Sequence, residues 1–345
     1  MNIKNIFLGT VWALIALTAC SSDDKPVYPE PPVYDMSGFA KGADVSWLTE
    51  MERSRIKFYD GNDREKECMA LLRELGMNSI RLRVWVDPVD GWCNKGDMLV
   101  KAFRANNLGM RLMINFHYSD TWADPGQQTK PAAWTDMDMD ELQEAVADHT
   151  REILTELKAH DIAPEWIQVG NETSNGMLWE EGKASVNMGN YAKLNNAGYD
   201  AVKEVFPDAK VIVHLPRGYD NDLYRWLFDG LKNNGGKWDV IGMSLYPAAN
   251  SWQQTNADCI ANIRDMISRY DSEVMICEVG MPWDEAEACH DFLADLIAKA
   301  KAIEDDRCLG VFYWEPQSYG GWKGYTLGAF DENGRPTVAL DTFKL

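Results

Sequence analysis

The chain has 345 residues, 46% of them hydrophobic, which is ample for a large core, and it carries 54 acidic against 34 basic side chains for a net charge of −20. That balance excludes a nucleic acid as partner, because phosphate binding needs clustered Lys and Arg. Any polymer the protein handles is expected to be neutral, and its 14 tryptophans offer flat apolar faces to one, although core packing accounts for most of them.

In chain order, Lys4 precedes an apolar run from Ile6 to Leu17 that is too short to cross a bilayer of about 30 Å as a permanent helix. Residues 1–19 therefore read as a signal peptide. The run ends Leu17-Thr18-Ala19-Cys20, which resembles a bacterial lipobox, and Ser21-Ser22-Asp23-Asp24 resembles the surface-export signal of Bacteroidetes lipoproteins. A lipid on Cys20 and the outer face of an outer membrane are the expected anchor and address. Residues 25–35 are too rich in proline for helix or sheet, so 20–37 are expected to form an extended tether. Residues 38–345 are expected to form a single folded domain. Cys68, Cys93, Cys259, Cys277, Cys289 and Cys308 show no CxxC or metal-ligand spacing, which leaves buried thiols and disulfides both open.

From Gly42 onward, apolar runs alternate with amphipathic stretches. The predicted strands are Ala43 to Trp47, Ser79 to Val86, Arg111 to His117, Trp166 to Asn171, Lys210 to Leu215, Val240 to Tyr246, Val274 to Glu278 and Gly310 to Trp314. Helices are expected at Glu65 to Leu75, Asp140 to His160, Tyr191 to Val205, Leu223 to Leu231, Ile260 to Tyr270 and Ala286 to Ile303. Strands nearly continuous in Val, Ile and Leu are buried on both faces, as in a parallel sheet wrapped by helices. The pattern predicts a single-domain α/β fold, a (β/α)8 TIM barrel. Its last unit is the weak one, because 316–336 reads as loop and only Val338 to Phe343 could close it as a short helix. A barrel of seven and a half units is the alternative.

In such a barrel the site lies at the C-terminal ends of the strands. Val169-Gly170-Asn171-Glu172 ends strand four and Met275-Ile276-Cys277-Glu278-Val279-Gly280 ends strand seven, so two glutamates are expected to face one cleft. Two carboxyls facing one sugar ring are the minimum equipment for glycoside hydrolysis. Arg81 on strand two and Tyr246 on strand six are the partners expected to keep Glu278 ionised, and Asn171 has the chemistry to bond a sugar 2-hydroxyl. A metal-dependent hydrolase would need converging His and carboxylate ligands. Only five histidines exist, none in an H-x-H or H-E-x-x-H pattern, so no metal and no cofactor are expected.

The runs Gly42-Ala43-Asp44, Asn78 to Val86 (NSIRLRVWV), and His117-Tyr118-Ser119-Asp120-Thr121-Trp122-Ala123-Asp124-Pro125-Gly126-Gln127 with Pro131 and Trp134 resemble glycoside hydrolase family 53, whose members are endo-β-1,4-galactanases acting on galactan and type I arabinogalactan. The resemblance implies a retaining double displacement with Glu278 as nucleophile and Glu172 as acid/base. It also implies substrate or acid/base contacts from His117, Asp120, Asp124, His214, Ser244 and Tyr246, a floor at Trp314, and outer stacking platforms at Trp122 and Trp322. The chain departs from the family after His214-Leu215, where Pro216-Arg217 stand in place of an aspartate, and its short run Met281-Pro282-Trp283-Asp284 lacks an Asp-x-Asp calcium rhythm. The expected partner is neutral β-1,4-galactan and the expected state a monomer. The alternatives are a clan-related endo-mannanase or endo-glucanase, or a non-catalytic glycan-binding lipoprotein.

Overall fold

Apolar runs with no polar face can pair only inside a sheet covered on both sides, and the computed structural model, which describes residues 34–344, arranges them so. The expected signal peptide, the Cys20 lipidation site and most of the tether lie outside the described residues. The barrel strands are β1 (Ala40–Asp44), β2 (Ser79–Val84), β3 (Arg111–Phe116), β4 (Trp166–Val169), β5 (Lys210–Leu215), β6 (Val240–Leu245), β7 (Glu273–Val279) and β8 (Cys308–Trp314). All pair in parallel with their neighbours, and β1 bonds both β2 and β8, so the barrel is closed. The expected TIM barrel is therefore complete, and the alternative of seven and a half units falls away. Val338–Lys344 forms the short closing helix as a 3-10 turn.

The helices between strands are α1 (Leu48–Arg53), α2 (Cys68–Glu74), α3 (Lys95–Asn107), α4 (Met139–Ala159), α5 (Met188–Val205), α6 (Asn221–Asn233), α7 (Trp252–Tyr270) and α8 (Ala286–Lys301). Four differ most from expectation, the first being the short α1, which the pattern did not announce. Glu65–Lys66 pairs with Phe58–Tyr59 as a two-stranded ribbon instead of starting α2, which begins once Glu67 accepts from the Ala70 N–H at its N-cap. The sequence pattern did not announce α3, because its inner face carries a lysine: Lys101 is wholly buried and donates to Ser46 O, Thr49 Oγ1 and Asp97 Oδ2. The first two turns of α7 were masked in the same way by polar Asn256, a buried side chain that bonds Phe292 O and Asp295.

Two apolar layers hold the barrel. Inside it, Ala40, Met113, Trp166, Ile212, Val240, Met275, Cys277 and Phe312 fill the end opposite the site, and a larger shell packs between strands and helices. Phe312 fits inside only because β1 carries Gly42, where a Cβ would lie 2.2 Å from the ring. The six cysteines among the described residues are buried free thiols, which decides the question the sequence left open.

Candidate active site

The strand ends do more than deliver carboxylates; local backbone irregularities aim them. Beyond β4, Gly170 (φ 81°) and Glu172 (φ 45°) take the left-handed conformation, which costs little for glycine and about 1–3 kcal/mol for other residues. Thr173 pins this turn, its N–H donating to His214 O at 2.9 Å and its hydroxyl bonding Tyr191. In β7, Met275 and Cys277 point into the barrel, so strict alternation would turn Glu278 outward to the helices. A register shift against β6 skips Cys277 and sets Glu278 opposite Ser244, and an irregularity of this kind re-aims a side chain. Glu278 consequently faces the same cavity as Glu172.

That cavity, of about 490 Å³, is lined by Glu172, Glu278, Asn171, His117, Asp124 and Tyr246 among polar groups, and by Trp47, Trp122, Trp314 and Tyr325 among aromatics. Arg81 lies buried behind the wall. Its Nη2 meets Glu278 Oε1 at 2.9 Å and its Nη1 meets Asp44 Oδ2 at 2.8 Å, while the Tyr246 hydroxyl donates to Glu278 Oε2 at 2.8 Å. Burial pushes the Glu278 carboxyl above its ordinary value, and Arg81 first, then Tyr246, pull it back. For Glu172, burial and next the negative charge of Glu278 raise the pKa to about 8, opposed by the nearby Ser244 hydroxyl and by Arg81. Two neighbouring buried carboxyls do not ionise together. The charge rests on Glu278, which holds the guanidinium, and the proton on Glu172.

Asn171 Oδ1 accepts from Arg81 Nη2, Asn115 Nδ2 and Gln168 Nε2, each at 3.1 Å, and its amide donates to Ala123 O at 2.8 Å. This leaves one N–H for the cavity. Burial first, then the charges of Arg83 and Arg81, keep the His117 imidazole neutral; Nδ1 accepts from the Ala123 N–H at 3.2 Å, and Nε2 lies 3.0 Å from Asn115 Nδ2.

The aromatic wall is one contiguous set, with Trp47 5.1 Å from Trp314 and 5.8 Å from Trp122, and Trp314 4.8 Å from Tyr325 between ring centroids. Beneath it lies buried Arg83, its guanidinium 4.3 Å from the centre of the Trp122 ring. Glu315, raised to about 8 by burial and the nearby Asp44, accepts from the Trp47 N–H at 3.1 and 3.2 Å and stands 3.5 Å from Arg83 Nη1. Arg83 and Glu315 thus fix the floor from behind.

Not every expected contact reaches the cavity. Asp120 lies outside the lining, and its two oxygens accept from the Asp87 and Ala132 N–H groups. Trp322 lies outside the lining, because the left-handed turn at Gly321 and Lys323 presents Lys323 and Gly324 to the cavity instead. His214 and Ser244 are buried, bonded to each other at 2.8 Å, and reach Glu172 from behind. Sequence reasoning did not single out Gln168, Trp47, Tyr325 or Lys323. Trp47 stands just beyond a strand end, a signal that could have found it; Tyr325 and Lys323 sit in an aperiodic loop that carries none.

Comparison with known proteins matches this geometry to a family. A model of glycosyl hydrolase family 53 matches residues 40–343. The arabinogalactan endo-β-1,4-galactanase of Humicola insolens is 32% identical over 297 residues, covering 80% of this chain and 89% of that enzyme. The family 53 catalytic domain of Ignisphaera aggregans has a TM-score of 0.82 at 32% identity, covering 91% of this chain and 97% of its own. A fungal β-1,4-galactanase has a TM-score of 0.83 at 26% identity, covering 89% and 99%.

Proposed function

The chain belongs to glycosyl hydrolase family 53, and from that premise we infer that it is an arabinogalactan endo-β-1,4-galactanase working by retaining double displacement. One observation carries the assignment of roles: within one aromatic-walled cavity, Arg81 and Tyr246 hold Glu278 as an anion while Glu172 keeps its proton.

Glu278 attacks the anomeric carbon as Glu172 passes its proton to the leaving glycosidic oxygen, giving a glycosyl ester on Glu278 and a carboxylate at Glu172. Esterification removes the negative charge of Glu278, which is the second largest cause of the raised Glu172 pKa. Glu172 is then a base matched to activating water, and it recovers its proton in the second step. The free N–H of Asn171 suits the sugar 2-hydroxyl, and the Trp314 face suits the sugar ring in the cleaved subsite.

The experiment is a product profile from pure linear galactan, with mannan and cellulose alongside. Oligosaccharides of several lengths from galactan alone are expected. Release from mannan or cellulose and none from galactan would overturn the substrate. We further propose, from the sequence of residues 17–24, that the enzyme is a surface-exposed outer-membrane lipoprotein; the mass of its mature N-terminus should equal a lipidated Cys20, and an unmodified terminus elsewhere would contradict this.

A further inference from the structure

Among the described residues, Lys323 is the only lysine or arginine that lines the cavity. It sits in a turn with Gly320, Gly321 and Gly324, whose φ values are 62°, 72° and 75°, and its own φ is 50°. Glycine takes this left-handed conformation freely; a lysine takes it under strain, and such strain collects where a ligand is held. Crowding does not explain the three glycines, because a Cβ at any of them would meet nothing within 4 Å. They serve the shape of the turn, which the Gly324 N–H closes on Gly321 O and the Tyr325 N–H on Trp322 O, both at 2.9 Å. Lys323 Nζ then lies 2.7 Å from Oε2 of Glu50, a carboxylate only 15% exposed that does not itself line the cavity. An ammonium has three donors. Glu50 takes one from behind, and no other acceptor among the described residues bonds Lys323.

The barrel decides which part of the substrate meets this cation. Glu172 follows β4 and gives its proton to the leaving oxygen, so the departing part of the polymer lies toward β4 and β5. Across the ring from them stand β8 and β1. The Lys323 turn follows β8, and Glu50 is on α1, which follows β1. The sugars that stay on Glu278 therefore run toward Lys323, along Trp314 and Tyr325. We propose that Lys323 donates to hydroxyls of the second retained galactose, one unit beyond the sugar that Glu278 attacks, and that Glu50 is a positioning residue that holds the ammonium there. A 4-linked galactose keeps its adjacent 2- and 3-hydroxyls free, and their oxygens accept from the N–H groups that Glu50 leaves. Aromatic faces alone discriminate poorly between hexoses, whereas a donor aimed at a hydroxyl rejects a sugar that lacks it. The proposal rests on reading the chain as a galactanase with Glu172 as its acid/base.

The test compares an aryl β-galactobioside with its analogue lacking the 2- and 3-hydroxyls of the outer sugar. Lys323→Met, which keeps the length of the side chain and loses its donors, should raise KM for the galactobioside about 10-fold with kcat within about 2-fold, as expected for lost hydrogen bonds from a charged group. Removing the hydroxyls should raise KM for the unaltered enzyme by a similar factor and add nothing in Lys323→Met, because the two changes delete the same contact. Lys323→Arg should recover most of the loss, and Glu50→Gln should fall between the parent and Lys323→Met. If the ion pair merely latched residues 316–336, both variants would lower kcat and their effects would add to that of deoxygenation. That result, or an unmoved KM in a folded Lys323→Met, would overturn the proposal. The unaltered enzyme provides a check that needs no variant, since equal KM values for the two substrates also contradict it. Failure of the galactanase reading shows separately: the unaltered enzyme would leave galactan intact.

Discussion

Glu172 keeps its proton to about pH 8 because it is buried beside an anion, and that arrangement is unfavourable to the fold once the proton is lost. The folded pKa lies above the ordinary 4.5, so the native state binds the proton more tightly than the unfolded chain does. The resulting contribution to stability is complete below about pH 4.5 and is lost as pH rises through about 8. Glu172→Gln, which cannot ionise, should melt close to the parent at pH 4.5 and progressively higher than it up to pH 8, at about 2–4 °C per kcal/mol relieved. Calorimetry across that range checks this, and a pH-independent difference would contradict it. At this scale the sequence was legible where a polar residue interrupts an apolar strand end: Glu172, Glu278, Asn171, Arg81 and Tyr246 all meet in one place. Gln168 was invisible because a single glutamine inside Trp166–Val169 looks like any strand residue. The loop N–H groups of Asp87 and Ala132 that bond Asp120 were equally invisible, because no sequence pattern announces a side chain that braces a loop.

Elements were legible to the extent that their hydrophobic period was unbroken. β5 has the predicted ends, and most other strands differ by one to three residues, whereas α3 and the start of α7 escaped because buried Lys101 and Asn256 occupy inner-face positions. Two features that no pattern encodes decide the site: the shift that re-aims Glu278 within β7, and the close approach of β1 to Phe312 on β8. The second makes a direct prediction. Gly42→Ala puts a methyl group 2.2 Å from the Phe312 ring and should cost about 1–3 kcal/mol by overpacking, read as a lower denaturation midpoint at unchanged slope. Phe312→Leu added to it should recover part of the loss; a neutral Gly42→Ala would mean that the inner layer is looser than described.

Across the whole molecule, closure of the barrel joins residues far apart in the chain into one catalytic unit. β1 contributes Asp44, β2 Arg81, β6 Ser244, β7 Glu278 and β8 Trp314, and the segments just beyond β4 and β6 contribute Glu172 and Tyr246. The periodicity of the sequence sufficed for this architecture because a run buried on both faces has few alternatives. It did not suffice for the outer cavity wall, where 316–336 has no period and its shape depends on left-handed turns at Gly321 and Lys323. The net charge of −20 agrees with a substrate bound through aromatic faces and hydroxyl contacts instead of ion pairs.

The central claim is that Glu278, ionised by Arg81 and Tyr246, forms a covalent bond to the sugar. A galactosyl or galactobiosyl fluoride bearing fluorine at C2 should inactivate the enzyme with one equivalent of label, and mass spectrometry of the digested protein should find that label on the peptide containing Glu278. Stoichiometric label on Glu172 or any other residue, or steady turnover with an α-configured first product and no label, would contradict the account.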